Sequence, residues 1–252
     1  MSPITSPITT ILFDLDDTLF DHAGTAWATL AATAAGRASL QEVPVAELYG
    51  RYSEALEELH PQVMTGRISY LAARQERFQR LLAPYEPAPT VAEVTLLAEQ
   101  YYAHYQQLRR PVAGALALLR ALKPAYKIGV VTNNRMAEQQ EKLRYLGLSE
   151  LVDALITSEE VGVLKPAPRI YQVALERLGA RPAETIMVGD NWQADVVGAL
   201  AVGIRPLWLN RTGVARPLPH VAEITSLEPL AEVLRHLTQP AQPSPAASLY
   251  YY

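Results

Sequence analysis

Asp14, Asp16 and Asp17 crowd the stretch ILFDLDDTLF, directly behind the apolar Ile11, Leu12 and Phe13. Neighbouring carboxylates repel one another and resist ionisation unless a cation lies among them. Farther along, Thr132 and Asn133 follow the apolar run YKIGVV. Lys165 stands in GVLKPAP, and Gly189, Asp190 and Asp195 belong to GDNWQAD, which follows TIMV. Taken singly, each group has a plainer reading. Aspartates favour turns, a threonine can cap a helix, a lysine is commonly exposed, and an acid suits a helix N-terminus. Their joint appearance at successive strand ends argues for one site, because ligands of a parallel α/β sheet bind outside the carboxyl ends of the strands.

Asp14 and Asp16, two residues apart, point to the same side of an extended chain. With Asp190 they are expected to form an oxygen-rich pocket, and the hard cation that suits such a pocket is Mg²⁺. A carboxylate held beside a phosphoryl group can act as a nucleophile. Lys165, the Thr132 hydroxyl and backbone N–H groups can hold phosphoryl oxygens as charge shifts in the transition state.

The elements that must position these groups follow from the pattern of apolar runs. From about Val112 onward, short apolar runs alternate with helical periodicity, the signature of βαβ units and a parallel sheet. Strands are expected at Ile11–Phe13, Tyr126–Val131, Ala154–Ile156, Thr185–Val188 and, as the last, Arg205–Leu209. Helices are expected at Val112–Lys123, Met136–Leu146, Pro168–Leu178 and Gln193–Val202, three of them closed by Gly147, Gly179 and Gly203. Residues 21–110 lack this alternation and carry long helical patterns at Ala26–Ala35, Val45–Leu59, Ile68–Leu82 and Val91–Leu108, broken at Pro44, Pro61 and Pro84–Pro89. The expected architecture is an α/β, Rossmann-like parallel sheet with helices on both faces, made from residues 1–20 and 111–238. An all-helical domain, 21–110, is inserted after the first strand. Residues 239–252, rich in Pro, Ala and Ser, read as a loose tail.

The 252 residues carry a net charge of -4, with 49% hydrophobic and 19% charged residues, which argues against a non-specific nucleic-acid or anionic-membrane binder. The absence of cysteine excludes disulfides, thiolate metal sites and a cysteine nucleophile. No stretch approaches the roughly 20 apolar residues of a membrane helix, and no signal peptide is visible, so a cytoplasmic address is expected. Only four lysines occur; Lys123, Lys127 and Lys142 read as ordinary exposed residues. Tyr101, Tyr102 and Tyr105 read as helix packing.

In order and spacing, DLDDT (Asp14 to Thr18), Thr132, Lys165 and GDNWQAD resemble the four motifs of the haloacid dehalogenase superfamily, over Ile11 to about Arg211. The helical insertion resembles the cap of its subgroup containing phosphoglycolate phosphatase and β-phosphoglucomutase. The resemblance implies a Mg²⁺-dependent phosphatase acting on a small soluble phosphomonoester through an aspartyl-phosphate. Asp14 would be nucleophile and metal ligand. Asp16 would protonate the leaving alcohol and then activate water, its backbone carbonyl contacting the metal. Thr132 and the Asn133 N–H would bind the phosphoryl group, Lys165 would balance charge, Asp190 would ligate the metal, and Asp195 would orient Lys165 or a metal-bound water. Asp17 would be structural, and His22 would lie near the entrance to the cap. A phosphomutase differs only in returning the phosphoryl group to substrate. A 2-haloacid dehalogenase lacks the second aspartate found here at Asp16, and a catalytically silent protein would not need the full set. The cap is expected to set specificity, with the loop MTGRISY and its Arg67 the first place to look; Arg51, Arg74, Arg77 and Arg80 are left without a role.

Overall fold

A computed structural model describes residues 7–238; the expected tail at 239–252 lies outside them. Among the described residues the chain divides into two compact units, residues 7–20 with 111–238, and Asp21–Arg110.

The first unit is built on a six-stranded sheet. Its strands are β1 (Thr10–Phe13), β2 (Lys127–Thr132), β3 (Ala154–Thr157), β4 (Thr185–Gly189), β5 (Arg205–Leu209) and β6 (Ala222–Ile224). They lie in the order β3-β2-β1-β4-β5-β6, and every neighbouring pair is parallel. Strands covered on both faces read as continuous apolar runs, and TILF and TIMVG are wholly buried. Leu12, Val131, Ile156 and Met187 pack under Ile170, Tyr171, Ala174 and Leu178 of one helix, Pro168–Leu178. Side chains alternate along a strand, so Ile11, Phe13, Val130 and Val188, equally buried, serve the opposite face. β1 and β4 are adjacent at the sheet's centre, with β2 and β3 added on one side and β5 and β6 on the other. That reversal makes their carboxyl ends the place where a crevice opens.

The intervening helices are α5 (Ala115–Leu122), α6 (Met136–Tyr145), α7 (Ser158–Val161), α8 (Pro168–Leu178), α9 (Gly198–Ala201) and α10 (Leu230–Thr238). α8 starts on proline and stops at Gly179, whose φ of 56° is left-handed, as its sequence predicts. Three expectations need correction. Arg205–Leu209 is not the last strand, because β6 and α10 follow; three residues, AEI, are too short to show a period. Gln193–Val202 is not one α-helix: a π-helical segment spans Trp192–Val197 and passes into α9. The helix expected from Val112 begins only after Gly114, which adopts a φ of 84° that β-carbon-bearing residues resist.

The second unit contains four helices, α1 (His22–Ala35), α2 (Val45–Met64), α3 (Tyr70–Leu82) and α4 (Val91–Leu108). Thr90 and Glu93 close a capping box at the start of α4. Pro61 does not break the chain but lies inside α2, in its last turn, where the missing N–H forfeits a single bond to a carbonyl of the preceding turn. Tyr101 and Tyr105 are buried and stacked 6.1 Å apart, with Tyr52 and Phe78 beside Tyr101. Tyr102 departs from the packing expectation: it is 44% exposed, with the Arg74 guanidinium 5.2 Å from its ring centre.

Candidate active site

β1 ends at Phe13, and the Asp14 N–H still reaches the neighbouring strand, donating to the Val188 carbonyl at 2.9 Å. After Asp14 the chain stops being extended. Asp17 adopts a φ of 63°, and the Leu15 carbonyl receives the N–H groups of Leu19 and Phe20 at 2.9 and 2.8 Å. The turn separates the two acids that an extended chain would align. Asp14 stays in the crevice, whereas the Asp16 carboxylate turns to α6, accepting from Gln139 Nε2 at 2.9 Å and Lys142 Nζ at 2.6 Å.

The carboxylates that converge are Asp14, Asp190 and Asp195, each with an oxygen within 4.8 Å of the others. Asp190 follows β4; its Oδ1 accepts from the Thr18 hydroxyl at 3.2 Å and its backbone carbonyl accepts from the Trp208 indole at 2.8 Å. Asp195 comes from the π-helical segment. Its Oδ2 takes the Asn191 N–H at 3.0 Å, while Asn191 caps the segment by accepting from the Ala194 N–H at 2.8 Å. Such wide turns recur at functional sites. Here the turn is matched by two glycines. A β-carbon at Gly189 would lie 2.3 Å from the Asp195 carboxyl, and one at Gly198 would lie 2.4 Å from the Tyr171 hydroxyl, which itself donates to the Ala194 carbonyl.

Lys165 crosses this cluster. Its buried ammonium donates to Asp14 Oδ1 at 2.6 Å, Asp195 Oδ1 at 2.7 Å and the Val131 carbonyl at 2.8 Å, which uses all three of its protons. The backbone beneath is clasped by Asn133, whose amide donates to the Lys165 carbonyl at 3.0 Å and accepts the Lys165 N–H at 2.7 Å. Thr132, at the end of β2, is 1% exposed, and its hydroxyl oxygen accepts from Gln139 Nε2 at 2.7 Å.

Burial pushes the Asp14 carboxyl up to about 7, Lys165 opposing and Asp195 reinforcing the shift. Burial, then the charges of Asp14 and Asp195, pushes Asp190 up to about 8. The Lys165 ammonium, despite its own burial, is held above the ordinary lysine value by Asp14 and Asp195. One ammonium therefore does not offset three carboxylates. Lys165 engages one oxygen of Asp14 and Thr18 one of Asp190, so each acid has a second oxygen to offer. An all-oxygen, under-compensated donor set is compatible with a hard divalent cation.

A model of the haloacid dehalogenase-like hydrolases matches residues 8–203, which include Asp14, Asp16, Thr132, Lys165, Asp190 and Asp195. The chain belongs to that family. Among its relatives, a pyrimidine 5'-nucleotidase of Escherichia coli, YjjG, is 31% identical over 75% of this chain and 83% of the relative. A ribulose-1,5-bisphosphate 5-phosphatase of Halopiger xanaduensis is 32% identical over 78% of this chain and 82% of the relative. A 2-haloacid dehalogenase structure from Pseudomonas syringae is 28% identical, with a TM-score of 0.60, covering 91% of this chain and 99% of that one.

Within this hydrolase site two side chains of α6 take part that the sequence pattern did not single out. Lys142, read as exposed, is 3% exposed, and Gln139 is fully buried. Their spacing of three residues and the scarcity of lysine were the only signals. In the helical unit, Arg51 pairs with Glu47 at 3.5 Å and Arg80 with Glu58 at 2.6 Å, while Arg77 donates to the Tyr52 hydroxyl at 3.1 Å. Arg74 donates to the Ala98 carbonyl. His22 meets the Tyr105 hydroxyl at 2.9 Å. Among the described residues no helix is long and apolar enough to cross a membrane.

Proposed function

We propose that this hydrolase is a Mg²⁺-dependent phosphatase of small phosphomonoesters, working through an aspartyl-phosphate on Asp14. The observation that carries the reading is the division of labour between two aspartates two residues apart. Asp14 is buried against an ammonium and two carboxylates. Asp16 is turned out of that cluster and held by donors of its own.

Asp14 and Asp190, with the Asp16 carbonyl, would hold the cation, and Mg²⁺ there would neutralise phosphoryl oxygens approaching Asp14. Lys165, tied to Asp195, fixes the orientation of the Asp14 carboxylate and balances charge as the phosphoryl group arrives. Because Thr132 accepts from Gln139, its own proton points elsewhere and can be donated to a phosphoryl oxygen, joined by the Asn133 N–H. Asp14 Oδ2 attacks phosphorus while Asp16 protonates the departing alcohol oxygen. Asp16 then takes a proton from the water that cleaves the aspartyl-phosphate. The phosphatase names of the nucleotidase and bisphosphate relatives support a phosphomonoester substrate in a soluble metabolite.

Turnover of an aryl phosphate should require Mg²⁺ and vanish in Asp14→Asn; unimpaired turnover by that variant refutes the nucleophile. The dehalogenase neighbour favours a second reading, attack of Asp14 on carbon. Asp16 with its paired donors argues against it, since displacement of halide needs no leaving-group acid. Chloride release from a 2-haloacid under chelator would establish it. Isomerised hexose phosphate in place of free sugar would reassign the chain as a phosphomutase.

A further inference from the structure

Gln139 and Lys142 lie three residues apart on one face of the ten-residue α6, a helix otherwise rich in exposed polar side chains. Burying an amide and an ammonium there is costly unless both are paired. Their partners are the two groups that handle protons in the reaction just described. Lys142 Nζ lies 2.6 Å from Asp16 Oδ1 and 3.2 Å from Glu138 Oε1, and 5.0 Å from the centre of the Phe20 ring, which covers it. Gln139 Nε2 bridges Asp16 Oδ2 at 2.9 Å and Thr132 Oγ1 at 2.7 Å.

On the phosphatase reading, we propose that Gln139 and Lys142 are positioning residues that set Asp16 as acid and base and Thr132 as a phosphoryl donor. Each Asp16 oxygen has its own donor, so the carboxylate cannot rotate out of its plane. The Gln139 N–H on the Thr132 oxygen leaves the hydroxyl proton only outward directions. Among the described residues the Gln139 carbonyl oxygen has no hydrogen-bond partner although it is buried. Reversing the amide would set that oxygen against the Asp16 carboxylate, so the donor orientation is imposed at a standing cost that a purely structural glutamine would shed. Neither residue exchanges a proton or touches the ester. In the first step the Asp14–P bond forms, the P–O ester bond breaks and the Asp16 proton goes to the alcohol. In the second, water gives its proton to Asp16, its oxygen bonds phosphorus and the Asp14–P bond breaks.

The test compares p-nitrophenyl phosphate, whose leaving group needs no acid, with an alkyl phosphate, whose leaving group does. Lys142→Met should lower kcat on the alkyl phosphate on the order of 100-fold, with KM changed by less than about twofold. On the aryl phosphate it should release about one equivalent of nitrophenolate in a burst before a slow steady state, because only the base is then required. Lys142→Arg should recover most of the rate. Gln139→Leu should weaken inhibition by inorganic phosphate about tenfold, through the misaligned Thr132. If Lys142→Met melts early, Lys142→Arg and the near-isosteric Gln139→Glu carry the test: the first should stay active, the second should not. Equal slowing of both substrates without a burst, an unchanged alkyl rate, or an active Gln139→Glu overturns the assignment. A wild-type chain that releases no phosphate, or a fully active Asp14→Asn, overturns the phosphatase reading instead.

Discussion

Replacing Lys165 by methionine keeps the side chain's length and bulk but removes its charge and its three donated hydrogen bonds. In the wild type those bonds end on Asp14, Asp195 and the Val131 carbonyl. The variant leaves two carboxylates without their counter-ion, Asp195 keeping the Asn191 N–H, in a site where Lys165 is 5% exposed and Asp195 fully buried. Breaking a buried ion pair from one side costs about 3–5 kcal/mol. The loss must also depend on pH. Asp14 already sits at about 7 with the ammonium beside it. Without Lys165 it rises further. A carboxyl whose folded value exceeds its unfolded value binds extra protons when folded, so stability falls as pH rises through that window. The variant's window extends above the wild type's, so the difference between them widens above pH 7, by about 1.4 kcal/mol for each additional pKa unit. Urea unfolding under chelator at pH 6 and pH 9 measures it. We expect a loss of about 2 kcal/mol at the lower pH and roughly 3–5 kcal/mol at the higher, from the same ranges. A loss below about 1 kcal/mol at pH 9, or one that shrinks as pH rises, would show that Lys165 is not the counter-ion of these acids.

Cation binding should follow the same linkage in reverse. Protons must leave Asp14, at about 7, and Asp190, at about 8. The rise in melting temperature produced by Mg²⁺ should therefore be larger at pH 8.5 than at pH 6, and an equal rise at both counts against these ligands. Gly189→Ala drives a β-carbon to 2.3 Å from the Asp195 carboxyl. Overpacking of this kind costs about 1–3 kcal/mol, read as a melting point lowered by roughly 3–10 °C, with turnover falling as Lys165 shifts. Asn133→Ala removes both hydrogen bonds to the Lys165 backbone. It should destabilise by about 1–3 kcal/mol in chemical unfolding and lower kcat; a silent variant would assign that clasp no part in holding Lys165.

The alternation of short apolar runs with helical periodicity was enough to read a parallel sheet, because strands covered on both faces must be apolar throughout and their crossovers must be amphipathic. The same alternation put Asp14, Thr132 and Asp190 at strand ends, where side chains leave the core. Local chemistry sufficed for Pro168 and Gly179 as the ends of α8, since backbone φ alone decides them. What the sequence could not decide was which acids share a space. Spacing alone paired Asp16 with Asp14. The left-handed Asp17 turn parts them, and the π-helical segment brings Asp195 in beside Gly189, an exchange that no period encodes. Lys142 looked like any surface lysine because its burial depends on a partner 126 residues earlier in the chain. Local patterns report the chain's immediate conformational preferences; the pairing of charges across a crevice is fixed only when distant strands and helices close around it.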